Sequence, residues 1–230
     1  MNSARRLLLI LGIVVSLHLN SSLGQDKTPS TTGKDVTDAL TPVGGTTYHD
    51  DFAGLTLKVP PDAVVMANDK VQDLAKESQK VVEERSSRVR EAKKSGQGAR
   101  TLFRLHLKQP ATDTAGFLPG IAAWQEEIPK DVQGVTPERY LMNLRKAMQQ
   151  ASNIEYRKEI VSKKIDDLTF AFQMGQIEVK AGDQVITGIQ EQHVVILRDR
   201  AIGFALTYNT AAEGESLRNI VWSLKLDKND

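Results

Sequence analysis

Between Leu168 and Leu226 the hydrophobic pattern is at its most regular. Leu168, Phe170, Phe172 and Met174 alternate with Thr169, Ala171 and Gln173, the period of two that sets one face of a strand against a core. Lys180-Ala181-Gly182-Asp183 then reverses the chain, with Gly182 free to take a positive φ. A second strand is predicted from about Val185 to Arg198, ending in Val194-Val195-Ile196-Leu197. Asp199-Arg200 makes a short turn, and a third strand follows over Ile202 to Tyr208, with Ile202, Phe204, Leu206 and Tyr208 on one side. Connections this short make the strands antiparallel neighbours. Thr210-Ala211-Ala212-Glu213 then has the form of a capping box. Leu217, Ile220, Val221 and Leu224 form one stripe of the helix it starts, and burial of that stripe on the sheet closes the fold. Gly214 in the first turn costs that helix roughly 1 kcal/mol relative to Ala.

Earlier segments carry weaker versions of the same signals. Tyr48 to Val59 reads as the first hairpin of the sheet, with Leu55, Leu57 and Val59 alternating with Thr56 and Lys58 until Pro60-Pro61 stop it. Val71 to Lys94, within about residues 66–95, predicts a long charged helix with a thin stripe at Val71, Leu74, Val81, Val82 and Val89. Thr101 to Lys108 alternates Phe103, Leu105 and Leu107 with Arg104, His106 and Lys108, a strand with one wet side or end. Gly120 to Ile128 is a further strand. Thr136 caps a helix with Pro137 at its first position and Tyr140, Leu141, Leu144, Met148 and Ala151 on one face. Ile154 to Ile165 contains another strand, and Asp166-Asp167 turn into the regular stretch.

Composition adds an address. Of 230 residues 40% are apolar and 26% charged, as in an ordinary globular chain. Arg5-Arg6, the apolar run Leu7 to Leu17, and small Ser22 and Gly24 before Gln25 have the layout of a secretory signal peptide, residues 1–24, cut between Gly24 and Gln25. The run is too short for the ~20 residues of a membrane span, so no span is expected after cleavage. Residues 25–45, mostly Asp, Lys, Thr, Ser, Gly and Pro, read as a flexible tether, and 46–230 as a single domain. Loss of Arg5 and Arg6 takes the 30 basic residues to 28 against 29 acidic, a balance that gives no reason to expect nucleic acid as partner. With no cysteine, disulfides, thiolate nucleophiles and thiolate zinc sites are excluded.

Candidate chemistry is sparse, and each cluster has a plainer reading. His49-Asp50-Asp51 offers an imidazole and two carboxylates, but turn chemistry already accounts for consecutive Asp residues. Glu191 and His193 lie two apart on one strand, where base and orienter would share a face; with no nucleophile marked nearby, a polar pair is the plainer reading. Arg85, Arg88, Arg90, Lys93 and Lys94, with Arg100, concentrate positive charge at the end of the long helix, either a docking patch for an acidic partner or a lipid headgroup, or a solvated helix end. Trp124 and Trp222 read as core. No phosphate loop, nucleophile elbow or His-x-x-x-His helix occurs. No catalytic, cofactor or metal residue is therefore assigned.

The order of elements does resemble a known superfamily. The run Phe-Ala-Gly-Leu-Thr-Leu-Lys-Val-Pro at 52–60, a capped helix, two long antiparallel strands, Gly-Phe-Ala-Leu-Thr-Tyr at 203–208 and a closing helix ending Ser223-Leu224-Lys225-Leu226 are similar to the PsbP-like, DcrB-like and Mog-type α/β/α sandwich. The resemblance covers about residues 46–226. It implies an α/β fold of the α+β kind, with a mainly antiparallel sheet and helices packed on both faces. Members of that superfamily are mostly non-catalytic binding or assembly factors, which implies binding in place of catalysis. The expectation is an exported envelope protein, periplasmic or extracellular, without cofactor, whose partner is another envelope protein. A small apolar ligand held between sheet and helix is the alternative, and a carboxylate/His193 hydrolase the opposing class.

Overall fold

The computed structural model describes residues 40–42, 47–61, 63–66, 99–107, 117–128, 134–151, 154–157, 159–181 and 184–226. The expected signal with its Gly24–Gln25 cut, and the long charged helix with Arg85, Arg88, Arg90, Lys93 and Lys94, lie outside them.

The strands are β1 (Leu40–Pro42), β2 (Thr47–Asp50), β3 (Leu55–Lys58), β4 (Val64–Met66), β5 (Arg100–His106) and β6 (Gly120–Glu127), followed by helix α1 (Pro137–Ala151). After it come β7 (Ile154–Tyr156), β8 (Val161–Ile165), β9 (Leu168–Ala181), β10 (Gln184–Leu197), β11 (Arg200–Tyr208), α2 (Ala211–Trp222) and β12 (Lys225–Leu226). The main sheet runs β1-β4-β5-β6-β11-β10-β9-β7, with β8 also paired to β9. Its pairs are antiparallel, so the α+β class with a mainly antiparallel sheet holds.

Three expectations need correction. Tyr48 to Val59 is a hairpin, but β2 and β3 form a second sheet, β12-β3-β2, in which Lys225 of the chain's end pairs with Thr56. Pro60 and Pro61 keep β3 from extending, and Ser223 Oγ accepts the Lys58 amide at 2.8 Å. The tether is shorter than expected, because Leu40–Pro42 pairs with Val64–Met66 at the edge of the main sheet. And β5 has no wet side at Arg104, which is buried; burial lowers its pKa, and burial followed by the Arg104 charge holds His106 at about 4.

Alternate residues of the central strands enter two separate apolar clusters. Phe170, Val195, Ile202, Phe204, Leu206 and Tyr208 join the α2 stripe, Leu217, Ile220, Val221 and Leu224, together with Leu55 and Leu57 of β3. Ala171, Val194, Ala201 and Ala205 join Trp124 of β6 and Tyr140, Leu141, Leu144 and Met148 of α1. Each helix starts as its sequence dictates. Thr136 accepts from the Arg139 amide at 3.2 Å, and Thr210 and Glu213 close a full capping box. Tyr140 then ties α1 to β6, donating to Glu126 at 2.6 Å.

Small residues record where the layers meet most closely. A Cβ on Gly203 would lie 2.1 Å from the Trp124 ring, and one on Gly214 would lie 2.6 Å from the Tyr208 ring. Gly214 therefore weakens the first turn of α2 because the helix has to pass over Tyr208. Gly203→Ala is expected to destabilise the chain by about 1–3 kcal/mol through overpacking against the buried Trp124. Urea unfolding with an unchanged m-value checks this; unchanged stability would mean that the indole moves aside freely.

Candidate functional site

The sequence Ile189-Gln190-Glu191-Gln192-His193 puts four successive polar residues in the middle of β10. A strand covered on one side would leave half of them wet, yet all four are buried. Alternation sends them to opposite sides of the sheet, where they form two separate polar clusters.

Glu191 and His193 point toward α2. In the β10/β11 register Glu191 faces Leu206 and Ile189 faces Tyr208, which places Tyr208 diagonally beside Glu191 on the same side. Tyr208 donates to Glu191 Oε1 at 2.5 Å, and Arg218 of α2 donates to the same oxygen at 2.6 Å. The other oxygen lies 2.9 Å from His193 Nε2. A carboxylate can only accept, so this ring nitrogen carries the proton. The imidazole stacks on Phe172, its partner across β9, at 5.3 Å between centroids, and Trp222 meets it edge-on at 6.5 Å. Arg218 and Trp222 are four apart on α2 and so share a side of the helix; one reaches the carboxylate and the other the imidazole. Lys163 of β8 lies over the outer part of the cluster, its Nζ 3.7 Å from the Trp222 ring.

The electrostatics keep Glu191 ionised. Burial is the largest influence and pushes its pKa up, but hydrogen bonds from His193 and Tyr208 and the attraction of His193 and Arg218 outweigh it and hold the carboxyl below its ordinary value. Tyr208 is pushed well above the usual phenol range by burial and then by Glu191, so it stays a donor. Glu191 is 1% exposed and His193 is fully buried. Every oxygen position of the carboxylate that these neighbours reach is engaged inside the protein. The arrangement fastens α2 to β10 and β11, and no nucleophile adjoins the imidazole among the contacts it makes.

The second cluster lies on the α1 side. Gln192 accepts from Gln173 at 2.6 Å and from Tyr156 at 3.1 Å, and donates to Gln190 at 3.0 Å. Gln190 Nε2, Gln173 Oε1 and Thr207 Oγ1 are buried without a protein partner. Nothing in the spacing of three glutamines on two strands marked this ladder. The signal that could have found it is the polar run itself, set in a strand too apolar at both ends to lie at the surface.

The remaining candidates are placed as follows. Asp50 accepts the Ala53 amide at 2.9 Å and the Tyr48 hydroxyl at 3.2 Å. His49 turns away from it, to Thr56 at 2.9 Å and Asp51 at 3.0 Å. Among the described residues no three His, Cys, Asp or Glu side chains are grouped as metal ligands would be. Arg100 lies at the start of β5, its guanidinium carbon 3.5 Å from the centre of the Phe52 ring.

No family model matches the chain, and no curated protein matches it. Among solved structures, the solution structure of cyanobacterial PsbP (CyanoP) from Synechocystis sp. PCC 6803 is 13% identical, covering 89% of this chain and 98% of its own, with a TM-score of 0.47. LpqN of Mycobacterium tuberculosis, described as involved in cell envelope biogenesis, is 14% identical over 80% of this chain and 87% of its own, with a TM-score of 0.43. A Bacteroides thetaiotaomicron protein is 9% identical at a TM-score of 0.44, and this chain spans 50% of its length. At identities and TM-scores this low, none of the three carries a superfamily or a residue's role to this chain.

Two outcomes test the cluster. Arg218→Ala is expected to lower stability by about 1.5–3 kcal/mol, the worth of a hydrogen bond to a charged group, as read by urea unfolding. Because the folded pKa of Glu191 is depressed, its contribution is complete above the ordinary carboxyl value of 4.5 and is lost as pH falls through the folded value. Glu191→Gln is therefore expected to flatten the fall of stability with acid below that pH. Parallel curves for the two proteins would mean that Glu191 is not held as the ion.

Proposed function

We propose that the protein is a non-catalytic binding or assembly protein of the cell envelope, exported behind a cleaved signal and working by contact with another envelope protein. In this reading residues from β1 onward make one unit, a sheet with a helix layer over each face. The observation that carries it is the state of Glu191 and His193. They are the acid–base pair on which a hydrolase would depend; both are buried, His193 bonds Glu191, and Glu191 also accepts from Tyr208 and Arg218. A general base must come within hydrogen-bond reach of a substrate proton, and these groups meet only their own fold. The signal-like segment, read from the sequence, supplies the compartment.

Affinity capture of the tagged mature protein from its own envelope extract, after mild cross-linking and read by mass spectrometry, is expected to yield one dominant partner. A Glu191→Gln/His193→Gln variant that still melts cooperatively is expected to capture the same partner. A hydrolytic activity toward extract components that the wild type shows and this variant loses would overturn the reading in favour of an enzyme.

A further inference from the structure

The interior of the sheet is closed, but one of its edges is open. β7 and β8 both pair with β9, β7 through Ile154 to Tyr156 against Ile177 to Gly175 and β8 through Val161 to Ile165 against Phe172 to Leu168. They take turns along the same side of β9, and beyond β8 no further strand is paired among the described residues. Residues 161–164 are exposed, Val161 at 47%. The β8–β9 connection is the two-residue turn Asp166-Asp167, with Asp166 at φ 51. A loop of that length makes Ile165 and Leu168 a hydrogen-bonded pair, and the alternation of an antiparallel ladder then fixes the rest. Val161, Lys163 and Ile165 bond inward to β9. Ser162 and Lys164 direct their N–H and C=O groups outward, to the open edge.

We propose that β8 is a docking edge for an extended, acidic segment of a partner protein, which adds to the sheet as one more antiparallel or parallel strand. This rests on the binding reading above and names its surface. The backbone of Ser162 and Lys164 supplies the ladder, and Val161 supplies an exposed apolar contact. Charge selects the occupant: Lys163 and Lys164 project from opposite sides of the strand, between exposed Glu159 before it and the exposed Asp166-Asp167 turn after it, so an incoming strand meets a cation on either face at its middle alone. Acidic residues opposite them are favourable, while a second copy of β8 paired antiparallel about Lys163 would set lysine against lysine, which is unfavourable across a strand pair. The same two side chains thus disfavour that self-pairing and admit an acidic partner. Lys163 is held over Trp222 and Ser162 donates to Glu138 of α1, which fixes the strand before anything binds.

The probe is a synthetic extended peptide of alternating Glu and Val, compared with its Lys and Val counterpart, titrated into the full mature chain and read by fluorescence anisotropy at low and high salt. Saturable binding of the acidic peptide, at least about tenfold tighter than the basic one and weaker in salt, is expected. Lys164→Pro removes an outward donor but no bond to β9, so it is expected to keep the wild-type melting temperature and lose the peptide. A Lys163→Glu/Lys164→Glu variant is expected to reverse the preference, an outcome that misfolding cannot produce. Equal binding of both peptides, no saturable binding of the acidic one, or undiminished binding by folded Lys164→Pro would overturn the proposal. If Lys164→Pro still captures the envelope partner, the edge is wrong and the binding reading stands.

Discussion

A carboxylate buried between a sheet and its closing helix is the constraint on which this structure turns. Glu191 is costly to bury, by several kcal/mol for an isolated ion, and it is tolerated because three elements converge on it: His193 from its own strand, Tyr208 from β11 and Arg218 from α2. That requirement fixes more than one bond. The register of β10 against β11 must place Tyr208 on the diagonal, and the rotation of α2 must bring Arg218 to the carboxylate while Leu217, Ile220 and Val221 enter the apolar cluster. Any slip of one residue would carry Glu191 to the α1 side, away from Tyr208 and Arg218. The ion pair contributes little beyond what an apolar contact would, but it discriminates strongly against wrong registers.

The glutamine ladder on the other side follows the same logic with neutral groups. The polar residues in the middle of β10 are buried, so they bond one another where they can. Gln173, Gln190, Gln192 and Tyr156 do so in part, in a chain of hydrogen bonds that leaves Gln190 Nε2 and Gln173 Oε1 without a protein partner. Together the two clusters make the middle of β10 the most demanding part of the chain to pair correctly, although its sequence is the least hydrophobic of the central strands.

What the sequence disclosed was local. The period of two in β11, the Thr210–Glu213 box and the Thr136 cap are set by neighbours within a few residues, and all three are where the pattern put them. What it withheld depends on distant partners. The pairing of β6 with β11 joins Ala123 to Phe204 across some eighty positions, and the return of Lys225 to Thr56 makes a second sheet of what reads as the first hairpin. Glu191 and His193 were legible as a pair because they are two apart; Arg218 was not, because a single arginine on a helix looks like any solvated one. Gly214 is the instructive case: as a helix residue it is only a cost, and its reason appears once Tyr208 lies beneath it.

The contrast between interior and edge bears on what such a protein can do. A binding function needs groups that remain unsatisfied in the free protein, since those already bonded offer a partner nothing without first being broken. The backbone of the central strands has used its groups, β10 being paired with β9 and β11 along its length, and both oxygens of Glu191 are engaged. Among the described residues no strand pairs with the outer edge of β8, a strand that is paired with β9 opposite Phe170 and Phe172 and whose Lys163 lies over Trp222. A strand so fixed loses little conformational entropy when another pairs with it. Rigidity in the core and at the edge are therefore one arrangement: the bonds that Glu191 accepts hold α2 on the sheet, and through Trp222 that helix braces β8.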